Sequence, residues 1–167
     1  MLTINEKFPN FKKLSNISVN TSIDDAFPLV AYQSEDGKES VFSIDDEKQT
    51  GKWLVIFAYP KDFTFVCPTE IKAFGELNEE FQDRDANVVA FSTDTEFAHR
   101  AWRMENDDIK DVPFPLVADN NASLSKALGI YNEDDGIAER ATFIVDPNGI
   151  IQHVSINAGS VGRNPQE

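Results

Sequence analysis

Cysteine is nearly absent from this sequence, which has Cys67 alone among 167 residues. A single cysteine permits no internal disulfide, so nothing in the sequence calls for an oxidising compartment. The two histidines, His99 and His153, lie far apart, with no further histidine or cysteine to complete a zinc set. A phosphate-binding glycine loop and the alternating ligands of a calcium loop are also absent. We therefore expect no metal and no cofactor.

Positive charge and long apolar runs are scarce as well. The chain has 15 basic against 29 acidic residues, a formal net charge of −14 at pH 7, which argues against binding to nucleic acid or to an anionic membrane. Residues 1–7 contain no continuous apolar stretch typical of a signal peptide, and no later run reaches membrane-spanning length. No Gly/Ser- or Pro-rich linker divides the chain. We expect a cytoplasmic protein with a single domain over residues 1–167.

The one cysteine lies where a predicted strand gives way to a predicted helix. Residues 53–58 form a short β-branched and aromatic run typical of a buried strand. From about residue 68 to 83, apolar residues recur at helical spacing. Pro68 suits the first helical position, and Glu70 lies in the first turn, where it would act as a capping residue. Cys67 is therefore predicted at or just before a helix N-terminus, where free N–H groups and the helix dipole favour the nucleophilic thiolate.

The residues before Cys67 suit a reactive site. The hydroxyl of Thr64, three residues earlier, could reach the sulfur or a polar substrate atom once the loop turns, and Pro60 would stiffen the approach to that loop. Such a thiolate could attack one oxygen of a peroxide. An isolated cysteine is, however, most often a small buried hydrophobe. Position alone does not decide between the two interpretations.

The wider string carries a specific resemblance. Pro60-x-x-x-Thr64-x-x-Cys67-Pro68-Thr69-Glu70 resembles the signature of the peroxiredoxins, and residues 62–70, Asp-Phe-Thr-Phe-Val-Cys-Pro-Thr-Glu, resemble their typical two-cysteine branch. Residues 91–102, 135–149 and 159–164 resemble the AhpC group of that family, the bacterial alkyl hydroperoxide reductases. The resemblance implies an antioxidant, thiol-dependent peroxidase that reduces hydrogen peroxide and organic hydroperoxides. Its peroxidatic cysteine, here Cys67, becomes sulfenic acid.

The resemblance also implies a role for Arg140. The family's Ala-x-Arg-Ala-Thr-Phe segment stands here at residues 138–143, and its arginine contacts the peroxidatic sulfur. A permanent cation there would favour the thiolate and orient the peroxide. From position alone, an arginine at the start of a strand is usually a solvated or ion-paired surface residue.

Other residues complete the predicted site. By the resemblance, Glu70 helps to hold Arg140, and Arg163 is a further cation near the site. Trp102 has the spacing of a core residue, although similar tryptophans in the family wall the active site. The predicted catalytic residues are Pro60, Thr64, Cys67 and Arg140. The predicted pocket or supporting residues are Phe63, Glu70, Trp102 and Arg163.

Strand and helix patterns alternate along the rest of the chain. A buried strand at 87–92 follows the first helix, which implies a right-handed parallel crossover. The other predicted elements are a hairpin of 29–32 and 41–44 with a turn at 35–38, a helix capped by 93–95 with Phe97, Ala101 and Trp102 on one side, a strand at 116–118, a helix from 120–121 to Gly129 with Leu124 and Leu128 on one face, and a hairpin of 141–145 and 150–156 with a turn at 146–149. This order and the resemblance predict an α/β protein with a thioredoxin-like fold, a central mixed β-sheet flanked by α-helices.

Partners and alternatives follow from the same resemblance. It implies a peroxide substrate and a reducing thiol or a protein reductase of the AhpF, AhpD or thioredoxin type. It also implies a homodimer formed by edge pairing of the strand at 150–156, with dimers joined into a decameric or dodecameric ring. A thiol–disulfide oxidoreductase would need a Cys-x-x-Cys pair, and Glu70 occupies the place of its second cysteine. A holdase-type chaperone or structural ring stays open as the alternative.

The sequence departs from the two-cysteine branch at its end. Such members continue past residues 162–164 into a further helix and a tail that carries the resolving cysteine, whereas this sequence stops at Glu167. It is either a truncated form, which we favour, or a one-cysteine enzyme that depends on an outside thiol.

Overall fold

A computed structural model describes residues 4–8, 30–32, 39–41 and 51–167, with side chains at 4–8 and 51–167. The strands in these ranges are β1 (Val30–Tyr32), β2 (Glu39–Val41), β3 (Trp53–Ala58), β4 (Ala86–Ser92), β5 (Leu116–Ala118), β6 (Tyr131–Asn132), β7 (Ile137–Ala138), β8 (Arg140–Val145) and β9 (Ile151–Asn157). The helices are α1 (Cys67–Glu76), α2 (Asn78–Gln82), α3 (Glu96–Glu105) and α4 (Ser123–Leu128).

A mixed sheet organises the described residues, with its strands in the order β2-β1-β5-β4-β3-β8-β9. Near its middle, β3 pairs in parallel with β4 and antiparallel with β8. The parallel crossover predicted between β3 and β4 is confirmed, and so is the hairpin of β8 and β9. In the turn of that hairpin, Asp146 Oδ1 accepts from the N–H groups of Asn148 and Ile150, both at 2.9 Å.

Helices cover both faces of the sheet. Ile56 of β3 belongs to the same buried cluster as Leu128 of α4. Its neighbour Phe57 points to the other face, as the two-residue period of a strand requires, and stacks on Phe74 of α1 with ring centroids 4.1 Å apart. Trp102 of α3 belongs to this second cluster. The predicted arrangement, a central mixed sheet flanked by helices, is therefore confirmed.

The predicted continuous helix over 68–83 is wrong. The first helix ends at Glu76, and Leu77, at φ −90° and ψ 0°, separates it from α2. Leu77 keeps a right-handed helical conformation, and the hydrogen bonds from its N–H to the Ala73 carbonyl and from the Phe81 N–H to its own carbonyl, at 3.3 and 3.1 Å, cross the break, which is one residue long. The apolar pattern could not reveal the break because the stripe continues across it: the rings of Phe74 and Phe81 still lie 6.4 Å apart.

The apolar side predicted for the second helix is confirmed at Trp102, which is buried, and is wrong at Phe97 and Ala101. Phe97 and Ala101 are exposed, and the buried face of α3 consists of His99, Trp102 and Arg103. The two polar residues take core positions because they have buried partners there, as Arg103 Nη2 does in the Phe114 carbonyl at 2.6 Å. The predicted cap is correct, since Thr95 Oγ1 accepts from the Ala98 N–H at 3.2 Å.

Two further boundaries bear on the predictions. The third predicted helix begins at Ser123 rather than at 120–121, because Ala122 adopts a left-handed conformation with φ +57°; its buried Leu124 and Leu128 are as predicted. The antiparallel pairing of β1 with β2 confirms that these two segments form a hairpin, with its second strand at Glu39–Val41. The predicted turn at 35–38 and residues 42–44 of the predicted second strand lie outside the described residues. The single domain over 1–167 stays a prediction.

Within the described ranges, no helix is both long enough and apolar enough to span a membrane.

Candidate active site

Cys67 is the first residue of α1 and is fully buried, with 0% of its surface exposed. The N-cap residue, Val66, has no side-chain oxygen to accept from the first N–H groups of the helix. Pro68 is the second helical residue rather than the predicted first; the first turn tolerates proline because its N–H groups lack intrahelical partners. The sulfur is thus held at the positive end of a ten-residue helix.

The loop before the helix contains three residues of the predicted site, Pro60, Phe63 and Thr64. Pro60 is buried just after β3. The Thr64 hydroxyl donates to the Lys61 carbonyl at 3.0 Å, so in this conformation its proton points along the loop. Phe63 is 56% exposed and has φ +57°, a left-handed conformation rare for a large side chain. Its ring lies 6.2 Å from that of Trp102, which is 2% exposed.

Glu70 joins two arginines that are distant in sequence. Its Oε2 accepts from Arg140 Nη1 at 2.5 Å, and its Oε1 accepts from both the backbone N–H and Nε of Arg163, at 2.6 and 3.1 Å. Glu70 and Arg140 are 2% and 4% exposed. Because both carboxylate oxygens bind arginines, the interpretation of Glu70 as a helix cap is wrong. Its support of Arg140, implied by the resemblance, is consistent with this geometry.

Arg163 fastens the C-terminal segment onto the sheet. Its Nη1 donates to the Ala141 carbonyl and the Thr142 hydroxyl, at 2.9 and 3.0 Å, and its Nη2 donates to the Ala58 carbonyl. Its guanidinium carbon lies 5.1 Å from the Phe57 ring centroid. Burial lowers the pKa of Arg163, while the negative charges of Glu70 and of Cys67 act in the opposite direction.

The same segment closes over the start of α1. Arg140 Nε donates to the Gly159 carbonyl at 2.8 Å. At Gly162 an added Cβ would come within 3.3 Å of Val66 Cγ1, so a larger residue would push this segment away from the residue that precedes Cys67. Residues 159–163 therefore belong to the wall of the site.

A second buried polar cluster lies at the base of the loop. The Tyr59 hydroxyl donates to Asp62 Oδ1 at 2.7 Å, and Asp62 Oδ2 lies 2.6 Å from Nδ1 of His99. Burial is the main cause that raises the pKa of Asp62, against the opposing effect of His99. Burial also raises the pKa of Tyr59 well above its usual range, with the nearby Asp62 carboxylate adding to the effect.

This second cluster is also where the described residues come closest to a metal site. Ligand atoms of Asp62, Asp94 and His99 lie within 4.8 Å of one another. These atoms already bind one another or neighbouring groups, and 2.6 Å between Asp62 Oδ2 and His99 Nδ1 is a hydrogen-bond distance. Two ligands of one metal, each about 2 Å from it, would normally stand further apart than that. The prediction that the protein needs no metal stays a prediction.

The structure thus brings most of the predicted residues to the start of α1. Glu70 joins Arg140 and Arg163, Trp102 belongs to the buried cluster of Cys67 and packs on Phe63, and Arg163 interacts electrostatically with Cys67. The Thr64 hydroxyl binds the Lys61 carbonyl instead, so the contacts of Thr64 and Arg140 with the sulfur stay predictions. Sequence reasoning missed Tyr59 and Asp62, and weighed His99 only as a zinc ligand. One signal was available: Asp62 is an acidic residue set between a buried strand and an apolar helix, where a carboxylate needs a partner.

The comparisons with known proteins agree with the site. The family model described as AhpC/TSA family matches residues 4–154. Alkyl hydroperoxide reductase C from Mycolicibacterium smegmatis is 50% identical over 167 residues, which is 100% of this chain and 81% of that protein.

Solved structures resemble the whole described fold. A crystal structure of Enterococcus faecalis AhpC superposes with a TM-score of 0.83 at 33% identity, covering 99% of this chain and 87% of that one. Mycobacterium tuberculosis AhpC gives a TM-score of 0.82 at 43% identity, covering 99% and 88%. They confirm the predicted thioredoxin-like α/β fold. The chain belongs to the AhpC/TSA family of peroxiredoxins.

Proposed function

We propose that this protein is a thiol-dependent peroxidase that reduces hydrogen peroxide and organic hydroperoxides at Cys67, in antioxidant defence. The observation that carries the proposal is the burial of Cys67 at the first position of α1, next to a carboxylate shared by two arginines. Membership of the AhpC/TSA family and the names of the relatives support it.

The charges of the cluster favour the thiolate. Arg140 and Arg163 bring two positive charges and Glu70 brings one negative charge, which leaves an excess of one positive charge in a buried place. A buried charge without compensation is costly. A thiolate at Cys67 supplies the missing negative charge, and the free N–H groups at the start of α1 act in the same direction.

The chemical step is a displacement at oxygen. The Cys67 thiolate attacks one oxygen of the hydroperoxide, an S–O bond forms as the O–O bond breaks, and the departing alkoxide takes up a proton to leave as an alcohol, or as water from hydrogen peroxide. The sulfur is oxidised to sulfenic acid while the peroxide is reduced. Arg140 stabilises the charge on the departing oxygen. The Thr64 oxygen, whose own hydrogen is donated to the Lys61 carbonyl, is left to accept a hydrogen bond from the hydroperoxide O–H, and this hydrogen stays on the oxygen that is transferred to sulfur.

In this 167-residue form, we expect an outside thiol to reduce the sulfenic acid. A first thiol displaces water to form a mixed disulfide with Cys67, and a second thiol releases the reduced enzyme. A protein reductase of the AhpF, AhpD or thioredoxin type is the proposed natural donor. The 167-residue form has one cysteine, so dithiothreitol should support its turnover. Because Cys67 is fully buried, a quantitative Cys67–Cys67 dimer on a non-reducing gel would contradict this account.

We propose a homodimer through the edge of β9, and rings of dimers as the further assembly. Among the described residues β9 is an end strand of the sheet; residues 5–8 pair with its start at 149–151. Further along the strand, Gln152, His153, Ser155 and Ile156 are exposed, and this part of its edge could pair with a second copy. Sedimentation that showed only monomer at micromolar concentration would count against the dimer. A single domain and a cytoplasmic location complete the proposal.

Replacement of Cys67 with serine tests the function directly. The variant should fold, as judged by circular dichroism, and should consume no peroxide in the presence of dithiothreitol. Retention of more than a small fraction of the wild-type rate would remove Cys67 from the reaction. A wild-type protein that consumed no peroxide but suppressed light scattering by an aggregating client would favour the holdase-type alternative.

A further inference from the structure

The second polar cluster, made of Tyr59, Asp62 and His99, takes no direct part in the chemistry proposed above. Asp62 stands in the loop of residues 59–66 between β3 and α1, five residues before Cys67. It is 5% exposed and His99 is fully buried. A buried carboxyl and a buried imidazole together are costly to keep unless they hold something in place.

Asp62 is fixed by contacts with several separate parts of the fold. Its side chain binds Tyr59, just past β3, and His99 on α3. Its backbone N–H donates to Asp94 Oδ2 at 2.9 Å, and the same oxygen accepts from the hydroxyl of Ser92, the last residue of β4, at 2.6 Å. One loop residue is thereby tied to the ends of two parallel strands and to a helix.

The protons of the cluster can be placed from the geometry. Nε2 of His99 lies 3.1 Å from the Val117 carbonyl, which can only accept, so Nε2 carries a hydrogen. Nδ1 and Asp62 Oδ2 share one further proton across 2.6 Å. Arg103, on the same helix, interacts electrostatically with both Tyr59 and Asp62. The polar atoms of the cluster thus have hydrogen-bond partners other than the sulfur of Cys67, and these contacts hold the loop.

Among the residues that the structure describes, the loop has few supports beyond Asp62. Phe63 adopts its left-handed φ of +57° directly after the anchor, the Thr64 hydroxyl binds the Lys61 carbonyl of the same loop, and Phe65 is 96% exposed. Residues 62–66 nevertheless lie next to a sulfur with no exposed surface. The path of this segment therefore depends on how Asp62 is held.

Helix α3 holds the loop at two adjacent points. His99 binds Asp62, and Trp102, one turn further, packs on Tyr59 and Phe63 with ring centroids 5.9 and 6.2 Å away. His99 and Trp102 are three residues apart and so share one face of the helix. The residues on both sides of Asp62 are therefore packed on the same helix face that binds its carboxyl group.

We propose that Asp62 and His99 are positioning residues: their hydrogen bond holds residues 62–66 in the path that lets Cys67 react with peroxide while it stays covered. The proposal rests on the proposed peroxidase function. Loss of the anchor should free the loop, with opposite effects on two reagents. Peroxide needs the ordered pocket and should react more slowly, whereas the larger iodoacetamide needs only an uncovered sulfur and should react faster.

The experiment compares Asp62→Ala with Asp119→Ala. Asp119 is a matched control: it is 1% exposed, burial raises its pKa as it does that of Asp62, and it binds residues 124 and 125 of α4 rather than the loop. Rates of peroxide oxidation and of iodoacetamide alkylation are measured per titratable thiol at one pH. Asp62→Ala should slow oxidation by about 10- to 100-fold and accelerate alkylation. Asp119→Ala should lower the melting temperature and keep both rates.

Conservative variants separate positioning from simple packing. Asp62→Asn can accept from Tyr59 and donate to Nδ1 of His99, so it should restore most of the oxidation rate, whereas Asp62→Leu should not. His99→Asn keeps a donor near Asp62 and should retain more of the oxidation rate than His99→Ala. This second pair serves if Asp62→Ala does not fold.

Three results would overturn the proposal: a wild-type oxidation rate in the folded Asp62→Ala or His99→Ala variant, equal rates for Asp62→Leu and Asp62→Asn, or an equal loss in Asp119→Ala. A wild-type protein without peroxidase activity would refute the proposed function instead. The alkylation rates of the same variants would then still decide whether the anchor covers Cys67.

Discussion

The site has two buried polar clusters: the first consists of Glu70, Arg140 and Arg163, and the second of Tyr59, Asp62 and His99. They differ in the charge that they leave uncompensated. Glu70 meets two guanidinium groups and neutralises one of them. Asp62, in contrast, meets one imidazole and one phenol, and a single shared proton satisfies the pair of Asp62 and His99. The first cluster therefore favours an additional negative charge nearby, which a thiolate supplies, and the second does not. The buried polar groups of the first cluster thus favour a negative charge on the sulfur of Cys67, whereas those of the second cluster hold the loop in place.

Removal of one arginine from the first cluster should have the largest effect. Arg140→Ala deletes the excess positive charge and a donor toward the departing oxygen, so peroxide oxidation of Cys67 should slow by about 10²- to 10³-fold. Alkylation of Cys67 by iodoacetamide at a fixed pH should slow as well, because the thiolate loses a nearby positive charge.

Arg140→Lys should rescue only in part, because lysine keeps the charge but lacks the planar fork of donors that binds Glu70 and the Gly159 carbonyl together. An unchanged alkylation rate together with an unchanged oxidation rate would remove Arg140 from the site, and the proposed difference between the two clusters would no longer hold.

Removal of the carboxylate from the first cluster should chiefly cost stability. Glu70→Ala removes the carboxylate that binds Arg140 and Arg163 and leaves an excess of buried positive charge, which should lower the free energy of unfolding by about 3–5 kcal/mol in urea denaturation. Glu76→Ala, at an exposed position of the same helix, is the matched control and should stay within about 0.5 kcal/mol of wild type. Equal effects of the two substitutions would mean that the ion pairs contribute nothing to folding.

The stabilisation that Asp62 contributes to the folded state should decrease as pH rises, whereas a carboxylate with a lowered pKa would show the opposite dependence. Burial raises the pKa of Asp62, so the folded state binds a proton that the unfolded state, with a pKa of about 3.9, has released. The stabilisation from this group is complete below about pH 3.9 and is lost as pH rises through the raised value. Melting temperatures from about pH 4 to 7 should therefore show Asp62→Asn gaining on wild type as pH rises. A gap that closes in the other direction would contradict the assigned shift.

Local pattern and long-range contact explain what the sequence could and could not predict. Some features follow from the pattern of residues close together in the sequence: the strand at 53–58, the turn at 146–149 and the position of the cysteine at the start of a helix. The role of Glu70 does not, because its partner Arg163 is 93 residues away, and an acidic residue in the first turn of a helix has the same local signature whether it caps or pairs.

The hydrogen bond between Asp62 and His99, which anchors the loop, could not be predicted from the sequence for the same reason. Asp62 and His99 are 37 residues apart, and His99 lies on a helix whose polar side faces the core. The pattern of α3 suggested that Phe97 and Ala101 would be buried, because apolar residues usually are. Tertiary contacts reversed this, and only a structure could show that the polar face had partners. The family resemblance supplied Arg163, and it supplied Arg140, which position alone would have assigned to the surface.

The most direct test of the account is to identify the atom that peroxide oxidises. One equivalent of hydrogen peroxide should increase the intact mass of the wild-type protein by about 16 Da, and dimedone should then label Cys67. Labelling with dimedone is essential because the sulfoxide of Met104, which is 69% exposed, has the same mass increase and does not react with dimedone. Cys67→Ser should yield no dimedone adduct. A wild-type protein that gains this mass without a dimedone adduct at Cys67, or that leaves peroxide unconsumed, would contradict the assignment of Cys67 as the peroxidatic residue.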